Sequence, residues 1–366
     1  MKPRTIVSWR LPALLLCCCA LARGLHAQSA NPSALLNNSA DQDWQALVAA
    51  EAAAHDAADA VLAPKNGKQA AIQQSASGAK GVADLARDFY TKNPDHPKAN
   101  EARKVEVFAL IDSVQIGDRT AETRLDGLVT DLRSDPKVPV KLRAQCAAAH
   151  DFTATTRKAR DRAERFKNVE QTGRSLIKEF PGEPQGYEAL FALCQASNPA
   201  KAQALASELA GSDAPAEIKF GATVLLQRLA LVGHSLAEVL GPEGAALFSG
   251  QPSGEPVVVY SWASWGPGSL DFARMIQARR FAAIGICVDA DVEKAKLLAA
   301  GGGLGGKHSY DSGGLDGVLA SRLAFSAPGQ IYFVDSSGVI RDVQGGVDLE
   351  NKFTQFGFKT PVLRKP

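Results

Sequence analysis

One stretch, Pro256 to Ser269 (PVVVYSWASWGPGS), constrains the fold of this chain more than any other. Its valine-rich first half is too short for a helix and too rich in β-branched residues to favour one, so it predicts a buried strand. The Gly-Pro-Gly sequence at 266–268 then breaks any periodicity, and Ser269 is a good N-cap for the segment that follows. The stretch therefore predicts a strand, a tight turn and a helix, with the turn exposed at the carboxyl edge of a sheet.

The same stretch resembles the active-site segment of the thioredoxin superfamily, in particular of periplasmic TlpA-like proteins. In that family a V-V-V-x-F-W-A-x-W-C-x-x-C pattern precedes a helix. Trp262, Ala263 and Trp265 match the pattern. The two cysteines of the family would fall at Gly266 and Ser269, so the resemblance implies the family's scaffold without its redox pair.

A second segment, SAPGQIYFVDSSGVI at 326–340, resembles the part of the family in which a proline precedes a central strand and a D-x-x-G turn ends it. Pro328 matches that proline. In the family its peptide bond is cis and lies against the redox turn, so the resemblance implies a cis Ala327–Pro328 bond, which is uncommon in proteins generally. The resemblance extends over about Gly233 to Phe358.

The rest of this C-terminal region alternates between strand and helix patterns. The sequence predicts strands at 281–289, 330–334 and 339–343, helices at 292–300, 315–324 and 349–358, and a β-hairpin at 235–249. This order is that of a thioredoxin-like α/β domain, which needs helices on both faces of its sheet.

From Asp41 to about Leu231 the sequence predicts an all-helical region, because apolar residues recur three and four positions apart. Four short polar loops in it contain prolines, spaced by 42, 45 and 34 residues: Pro94, Pro136, Pro181 and Pro215. This spacing fits pairs of helices, stacked either as a degenerate tetratricopeptide-type solenoid or as an irregular bundle. We interpret residues 66–78 as a polar linker and the charged run 157–167 as a solvated helix face.

The first 27 residues place Lys2, Arg4 and Arg10 before an apolar run, which is typical of a secretory signal peptide. The run is too short to span a bilayer. A lipoprotein signal is the alternative, but no small residue precedes Cys17. We expect a signal peptide at 1–27, a helical domain at 28–231 and a thioredoxin-like domain at 232–366. The mature protein would be periplasmic or secreted, without a stable membrane span.

Net charge and cysteine content exclude several classes of function. A formal net charge of +2 gives no broad basic surface, so we expect no nucleic-acid partner. Removal of the signal peptide leaves three cysteines without C-x-x-C spacing, which predicts neither a zinc site nor a disulfide framework. Cys146 and Cys194 could pair in an oxidising compartment, but apolar helical surroundings favour buried free thiols.

The glycine-rich segment from Gly301 to His308 formally matches two nucleotide-binding patterns. It follows a helix instead of a strand, and His308 stands where a Walker motif has its Mg²⁺-binding Ser or Thr. We therefore interpret the segment as a connector. No histidine spacing matches a metal site and no G-x-S-x-G elbow is present, so we predict no cofactor and no metal.

Thioredoxin chemistry requires a cysteine at a helix N-terminus, where the thiolate is stabilised, and a second sulfur that resolves the mixed disulfide. Neither Gly266 nor Ser269 can supply a thiol. We therefore predict a module that binds a peptide or protein, of unspecified identity, on a helical scaffold. The predicted groove consists of Trp262, Trp265, Gly266, Pro267, Gly268, Ser269, Ala327 and Pro328.

An enzyme is the alternative that the resemblance implies: a thiol-disulfide oxidoreductase or peroxidase that uses another cysteine, such as Cys287. This cysteine lies in an apolar strand, where the thiolate is disfavoured. Asp289, if close, would raise its pKa further. The sequence therefore favours Cys287 as a core residue and the binding module as the function.

Overall fold

The computed structural model describes residues 39–62, 68–248, 254–301, 304 and 307–358, so the expected signal peptide lies outside the described residues. Over these residues the protein is mostly helical, with 14 α-helices, and it has a mixed five-stranded sheet near its C-terminus. The expected combination of an all-α region and a C-terminal α/β region is confirmed at this level. The chain divides into two compact units, Met1–Leu190 and Phe191–Pro366.

The first unit is entirely helical over its described residues. Its helices are α1 (Ser39–Leu62), α2 (Lys68–Lys92), α3 (Ala99–Gln115), α4 (Arg119–Ser134), α5 (Val140–Lys158), α6 (Arg162–Glu179) and the first part of α7 (Pro184–Ala196). From α1 to α6 each helix packs on the next, and α3 also packs on α5. Pro94, Pro136 and Pro181 lie in the loops that precede α3, α5 and α7, as predicted, because proline is excluded from helix interiors. A regular solenoid stays a prediction.

The predicted polar linker at 66–78 is wrong over Lys68–Gly78, which forms the first turns of α2. Alanine and glutamine are good helix formers, and α2 packs on α1, so helix propensity and tertiary contact outweigh the polar composition. Gly78 lies close to this contact: a Cβ at that position would be 3.4 Å from Cβ of Ala54.

The second unit begins with helices and continues into the α/β region. It contains the end of α7, then α8 (Pro199–Ala210) and α9 (Ala216–Ala230), with Pro215 in the loop between them as predicted. The α/β elements follow close to the predicted boundary at Leu231.

The β-hairpin predicted at 235–249 is wrong, because the described part of this segment is helical. Helix α10 (Leu236–Phe248) contains a break at Gly241, whose φ is 67°. Leu236 and Leu240 lie four residues apart, which is a helical period, and both are buried in the core. The Gly-Pro pair therefore interrupts a helix, where proline can start a new turn, and does not join two strands. Ser235, just before this helix, forms an isolated antiparallel β-bridge with Val339.

The sheet has the strand order β3-β2-β1-β4-β5. Its strands are β1 (Val257–Trp262), β2 (Ala283–Cys287), β3 (Lys307–Tyr310), β4 (Ile331–Val334) and β5 (Ile340–Asp342). Strands β1, β2 and β3 are parallel, β4 is antiparallel to β1, and β5 is antiparallel to β4. The helices between and after them are α11 (Pro267–Ala278), α12 (Val292–Gly301), α13 (Val318–Arg322) and α14 (Leu349–Gln355).

The central strand β1 is buried along its whole length, as its valine-rich sequence predicts. Val257 and Val259 belong to one core cluster, and Val258, Tyr260 and Trp262 belong to another. Because alternate residues of a strand point to opposite faces, the sheet is covered on both faces, as predicted. No helix of the described residues is both long and apolar enough to cross a membrane.

Strand β3 was not predicted, since the segment that contains its first residues was interpreted as a connector. Lys307 and His308 begin the strand, and His308 is in register with Gly285 of β2. A strand of four residues with a polar sequence carries no hydrophobic pattern of its own, so its pairing with β2 determines its structure.

Candidate functional site

The turn between β1 and α11 forms at the carboxyl end of the central strand, where the sequence places it. Helix α11 begins at Pro267, and its N-cap residue is Gly266. The prediction that Ser269 is the N-cap is wrong, since Ser269 lies inside the first turn of the helix. Proline favours the first helical position because its fixed φ suits the helix and its missing N–H would have no partner there.

Ser269 holds this turn together and is not available to a ligand. It is only 3% exposed. Its Oγ donates a hydrogen bond to the carbonyl of Gly266 at 2.7 Å and accepts one from the N–H of Ala263 at 3.2 Å. The hydroxyl thereby gives the N–H of Ala263 an acceptor and ties the end of β1 to the start of the helix. We therefore assign Ser269 a structural role instead of a place on the binding surface.

Pro328 lies against Gly266, as predicted. A Cβ at position 266 would be 2.9 Å from Cγ of Pro328 and 3.0 Å from Oγ of Ser269. No side chain fits there without a shift of its neighbours, so the proline ring occupies the place of a side chain at 266. The turn and the proline loop form one continuous surface.

The prediction of a cis Ala327–Pro328 bond is wrong, because the described residues contain no cis peptide bond. Instead, the loop reverses direction at Gly329, whose φ is 87° and therefore favours glycine. Ser261 fixes the loop on both sides of this position: its Oγ donates to the carbonyl of Ala327 at 2.8 Å and accepts from the N–H of Gln330 at 3.0 Å. These contacts hold the proline loop on β1 with a trans bond.

Ser261 is a residue that sequence reasoning missed as part of the site. It is fully buried in β1, and its backbone also bonds to the loop, through the N–H of Gly329 at 2.8 Å and the carbonyl of Gln330 at 2.9 Å. The signal that could have found it is a hydroxyl residue inside an otherwise apolar strand, since a buried hydroxyl needs a partner.

The two tryptophans of the motif have different environments. Trp262 is fully buried, and its ring lies edge-on to the ring of His308 with centroids 5.4 Å apart. Trp265 is 58% exposed. Ala327 and Gly268 are also exposed, and the side chain of Pro267 lies outside the described residues. Trp262 is therefore a core residue, and Trp265 is the aromatic group of the turn that a partner can reach.

Cys287 lies at the end of β2, in register with Trp262, and is fully buried. Burial raises the pKa of its thiol to about 11, and the carboxylate of Asp289, 3.7 Å from Sγ, adds to this effect. The prediction that Cys287 is a core cysteine is confirmed. Cys146 and Cys194 are also buried and form no disulfide within the described residues, and burial raises the pKa of Cys146 to about 12. None of these sulfurs has the environment of a reactive thiolate.

Asp289 connects the end of β2 to the turn. It is 3% exposed and accepts two hydrogen bonds from Ser264, from the backbone N–H at 2.6 Å and from Oγ at 3.0 Å. Hydrogen bonds to an ionised carboxylate are stronger than those between neutral groups. Asp289 and Ser269 thus fix the turn from opposite ends, so that Trp265 is presented on a rigid backbone.

The described residues contain no group of three or more His, Cys, Asp or Glu side chains that could hold a metal ion. The chain matches no protein-family model, no curated protein and no solved structure. The functional argument therefore depends on the residues of the turn and on the chemistry that they can perform.

Proposed function

We propose that this is an exported protein whose α/β region is a thioredoxin-like domain that binds a peptide or protein segment and carries out no redox chemistry. The binding surface, called here the turn surface, consists of Trp265, Gly266, Ala327 and Pro328. The first unit serves as a helical scaffold. The partner is an extended polypeptide chain, one apolar side chain of which packs on Trp265.

The order of elements supports the resemblance on which the proposal depends. A buried strand, a turn and a helix come first, and a strand pair and a closing helix follow, with Pro328 against the turn. The trans bond at Pro328 is a departure from the family. The proposal therefore depends on Trp265 and on the backbone N–H of Ala327 beside a trans proline, and not on a cis bond.

The observation that carries the proposal is the exposure of Trp265 on a turn that hydrogen bonds of Ser269 and Asp289 hold in place. An exposed tryptophan offers a large apolar area, and such residues often dominate the free energy of binding at protein interfaces. The neighbouring residue Ala327 is exposed, and its N–H donates no hydrogen bond within the described part of the chain. An extended peptide could accept from this N–H while one of its side chains packs on Trp265.

Redox chemistry is disfavoured by the same geometry. Position 266 has no room for a sulfur, and the hydroxyl of Ser269 is already bonded. With a pKa of about 11, the thiol of Cys287 is ionised in only about one molecule in ten thousand at neutral pH. We therefore expect no reduction of insulin disulfides above the background of added thiol. Catalysis by the purified protein that disappears in a Cys287→Ser variant would favour the enzymatic alternative.

The binding function is tested by selecting peptides from a display library on the mature protein and measuring their affinity for variants. Trp265→Ala should weaken binding by about 30-fold, the effect of losing about 2 kcal/mol at a central aromatic residue. Phe220→Ala is the matched control, since Phe220 on α9 is also an exposed aromatic residue, at 67%. Peptides that bind both variants equally well, or a library that yields none, would contradict the proposal.

A further inference from the structure

Arg228 is a buried cation that has no counter-ion among the residues the structure describes. It lies on α9, and only 7% of its surface is exposed. Within the part of the chain that the structure describes, its guanidinium makes no ion pair and no hydrogen bond, and its Nε is buried without a partner. An arginine at this depth normally pairs with a carboxylate, because it remains charged at all physiological pH values.

Arg228 lies on the buried side of α9. Leu225, three residues before it on the helix, is fully buried, and so is Ala222. The titratable group that acts on it is the phenol of Tyr332 on β4, whose hydroxyl donates to the carbonyl of Leu323. Burial lowers the pKa of Arg228, and burial also holds the pKa of Tyr332 well above its ordinary value, so the phenol supplies no negative charge.

A buried charge of this kind is costly to the free protein. Removal of an ion from water costs several kcal/mol even after the protein relaxes, and each buried donor without an acceptor adds to the cost. Structural arginines avoid this cost by pairing with a carboxylate, and Arg228 has no such pair over the described ranges of the chain. An anion from outside the chain would supply the missing charge and the missing acceptors together.

We infer that Arg228 is the base of a binding site for a single carboxylate group. The planar guanidinium can donate two parallel hydrogen bonds to a carboxylate, which gives both geometry and charge compensation. The small exposed fraction of Arg228 requires a thin, planar group, which favours a carboxylate over a bulkier tetrahedral phosphate. The carboxylate can belong to a small organic acid or to the C-terminus of a peptide. The site is separate in its residues from the turn surface.

Acetate is the probe for this site. We expect sodium acetate to raise the Tm of the mature protein more than sodium chloride does at equal ionic strength and pH, because a ligand that binds only the folded state stabilises it. In Arg228→Met the difference between the two salts should disappear, and the affinity for acetate should fall by about tenfold or more. Arg274→Met, which removes an exposed arginine of the same unit, should leave the acetate effect unchanged.

A direct measurement covers the case in which Arg228→Met does not fold. The Nε–H signal of Arg228 in the NMR spectrum of the intact protein should shift as acetate is added and should saturate. No shift, or equal protection of Arg228→Met by acetate, would overturn the inference. Trp265→Ala should keep the acetate effect, so this inference and the turn surface can fail separately.

The source of the carboxylate is distinguished by two short peptides that differ only at their C-terminus. A peptide with a free carboxylate should compete with acetate, and its C-terminal amide should not. If neither peptide competes while acetate still binds, the site is one for small acids. Both results support a carboxylate site at Arg228, and equal competition by the amide would contradict it.

Discussion

Glu106 in the first unit and Arg228 in the second are both buried charged side chains, at 0% and 7% exposure. Glu106 accepts hydrogen bonds from Nε of Arg124 at 2.7 Å and from the hydroxyl of Tyr90 at 2.6 Å. Arg228 has no such partner among the described residues. The two buried charges therefore differ in role. Glu106 joins elements of the fold through its hydrogen bonds, and Arg228 keeps its donors for a ligand.

The charge network of the first unit joins three helices. Arg124 on α4 pairs with Glu106 on α3, and it also binds Asp84 and the carbonyl of Ala83, both on α2. Burial and the bond to Glu106 raise the pKa of Tyr90 well above its ordinary value, so this hydroxyl remains a donor. Both carboxylate oxygens of Glu106 therefore have a donor, Oε1 from Arg124 and Oε2 from Tyr90, and a buried ion pair is tolerated when its polar atoms are bonded in this way.

A second network in the first unit shows the same principle at a histidine. The two ring nitrogens of His150 on α5 lie 2.8 Å from Asp126 of α4 and 2.8 Å from Asp151 of α5. Ionised carboxylates only accept hydrogen bonds, so both contacts require a ring with two N–H groups, which is the protonated form. Asp151 also pairs with Arg133 of α4, and Glu179 of α6 lies 3.7 Å from the Nε of Arg133.

The largest expected effect comes from breaking the pair at Glu106. Arg124→Met should lower the free energy of unfolding by about 3 to 5 kcal/mol, because it leaves a carboxylate buried without its counter-ion. Arg228→Met should cause no loss and should raise stability, since it removes an unpaired charge. Urea unfolding of the full chain, followed by circular dichroism, measures both. Equal losses in the two variants would remove the distinction between the two buried charges.

A smaller effect is expected at the turn, where the constraint is steric. Gly266→Ala should cost about 1 to 3 kcal/mol, because its Cβ would lie 2.9 Å from Pro328. Gly268→Ala is the control two residues away: a Cβ there meets no atom within 4 Å, and alanine is a better helix former than glycine. Thermal unfolding should show a loss for the first variant alone. An equal response of the two would mean that Pro328 does not close the turn in solution.

The histidine network should make the stability of the first unit depend on pH. The hydrogen bond with Asp151, and that with Asp126, raise the pKa of His150 above its ordinary value of 6.5. The stabilisation is therefore complete below about pH 6.5 and is lost as the pH rises through the higher pKa of the folded state. His150→Gln should cost about 1 kcal/mol at low pH and less at high pH. Unfolding at a series of pH values tests this, and a cost that does not change with pH would contradict it.

The elements that the sequence predicted well are those whose pattern is long or sharply bounded. The valine run of β1 and the proline loops between helices lie where they were predicted, and a turn follows β1, but Pro267 and Gly268 of the Gly-Pro-Gly sequence already belong to helix α11. Strand β3 was missed, because four polar residues carry no period. The segment at 235–249 was assigned to the wrong class, since short apolar runs on both sides of a glycine suit a hairpin and a broken helix equally.

The candidate site was predictable only where residues are neighbours in the sequence. The approach of Pro328 to Gly266 followed from the family pattern, but the hydrogen bonds that hold the loop come from Ser261, which is 66 residues away from Ala327 along the chain. Arg228 carried a signal that was overlooked. It stands three residues after Leu225, on the apolar face of α9, where a charged side chain is out of place.

The smallest effect is expected where a charge pair is exposed. Arg279, the C-cap residue of α11, donates to both carboxylate oxygens of Glu350 on α14, at 2.9 and 2.7 Å, but 69% of the Glu350 side chain is exposed. Water screens such a pair, so Glu350→Gln should change the free energy of unfolding by less than about 1 kcal/mol.

The guanidinium of Arg279 also lies over the ring of Phe353, with 5.3 Å to its centroid, and this contact survives the substitution of Glu350. Arg279→Gln should therefore cost more than Glu350→Gln, because it removes the contact with the ring as well as the ion pair. Urea unfolding of the two variants at low and high salt separates the contribution of the ion pair from that of the ring contact, since added salt weakens the ion pair more. A loss at Glu350→Gln as large as that at Arg124→Met would show that burial does not determine the strength of charge pairs in this protein.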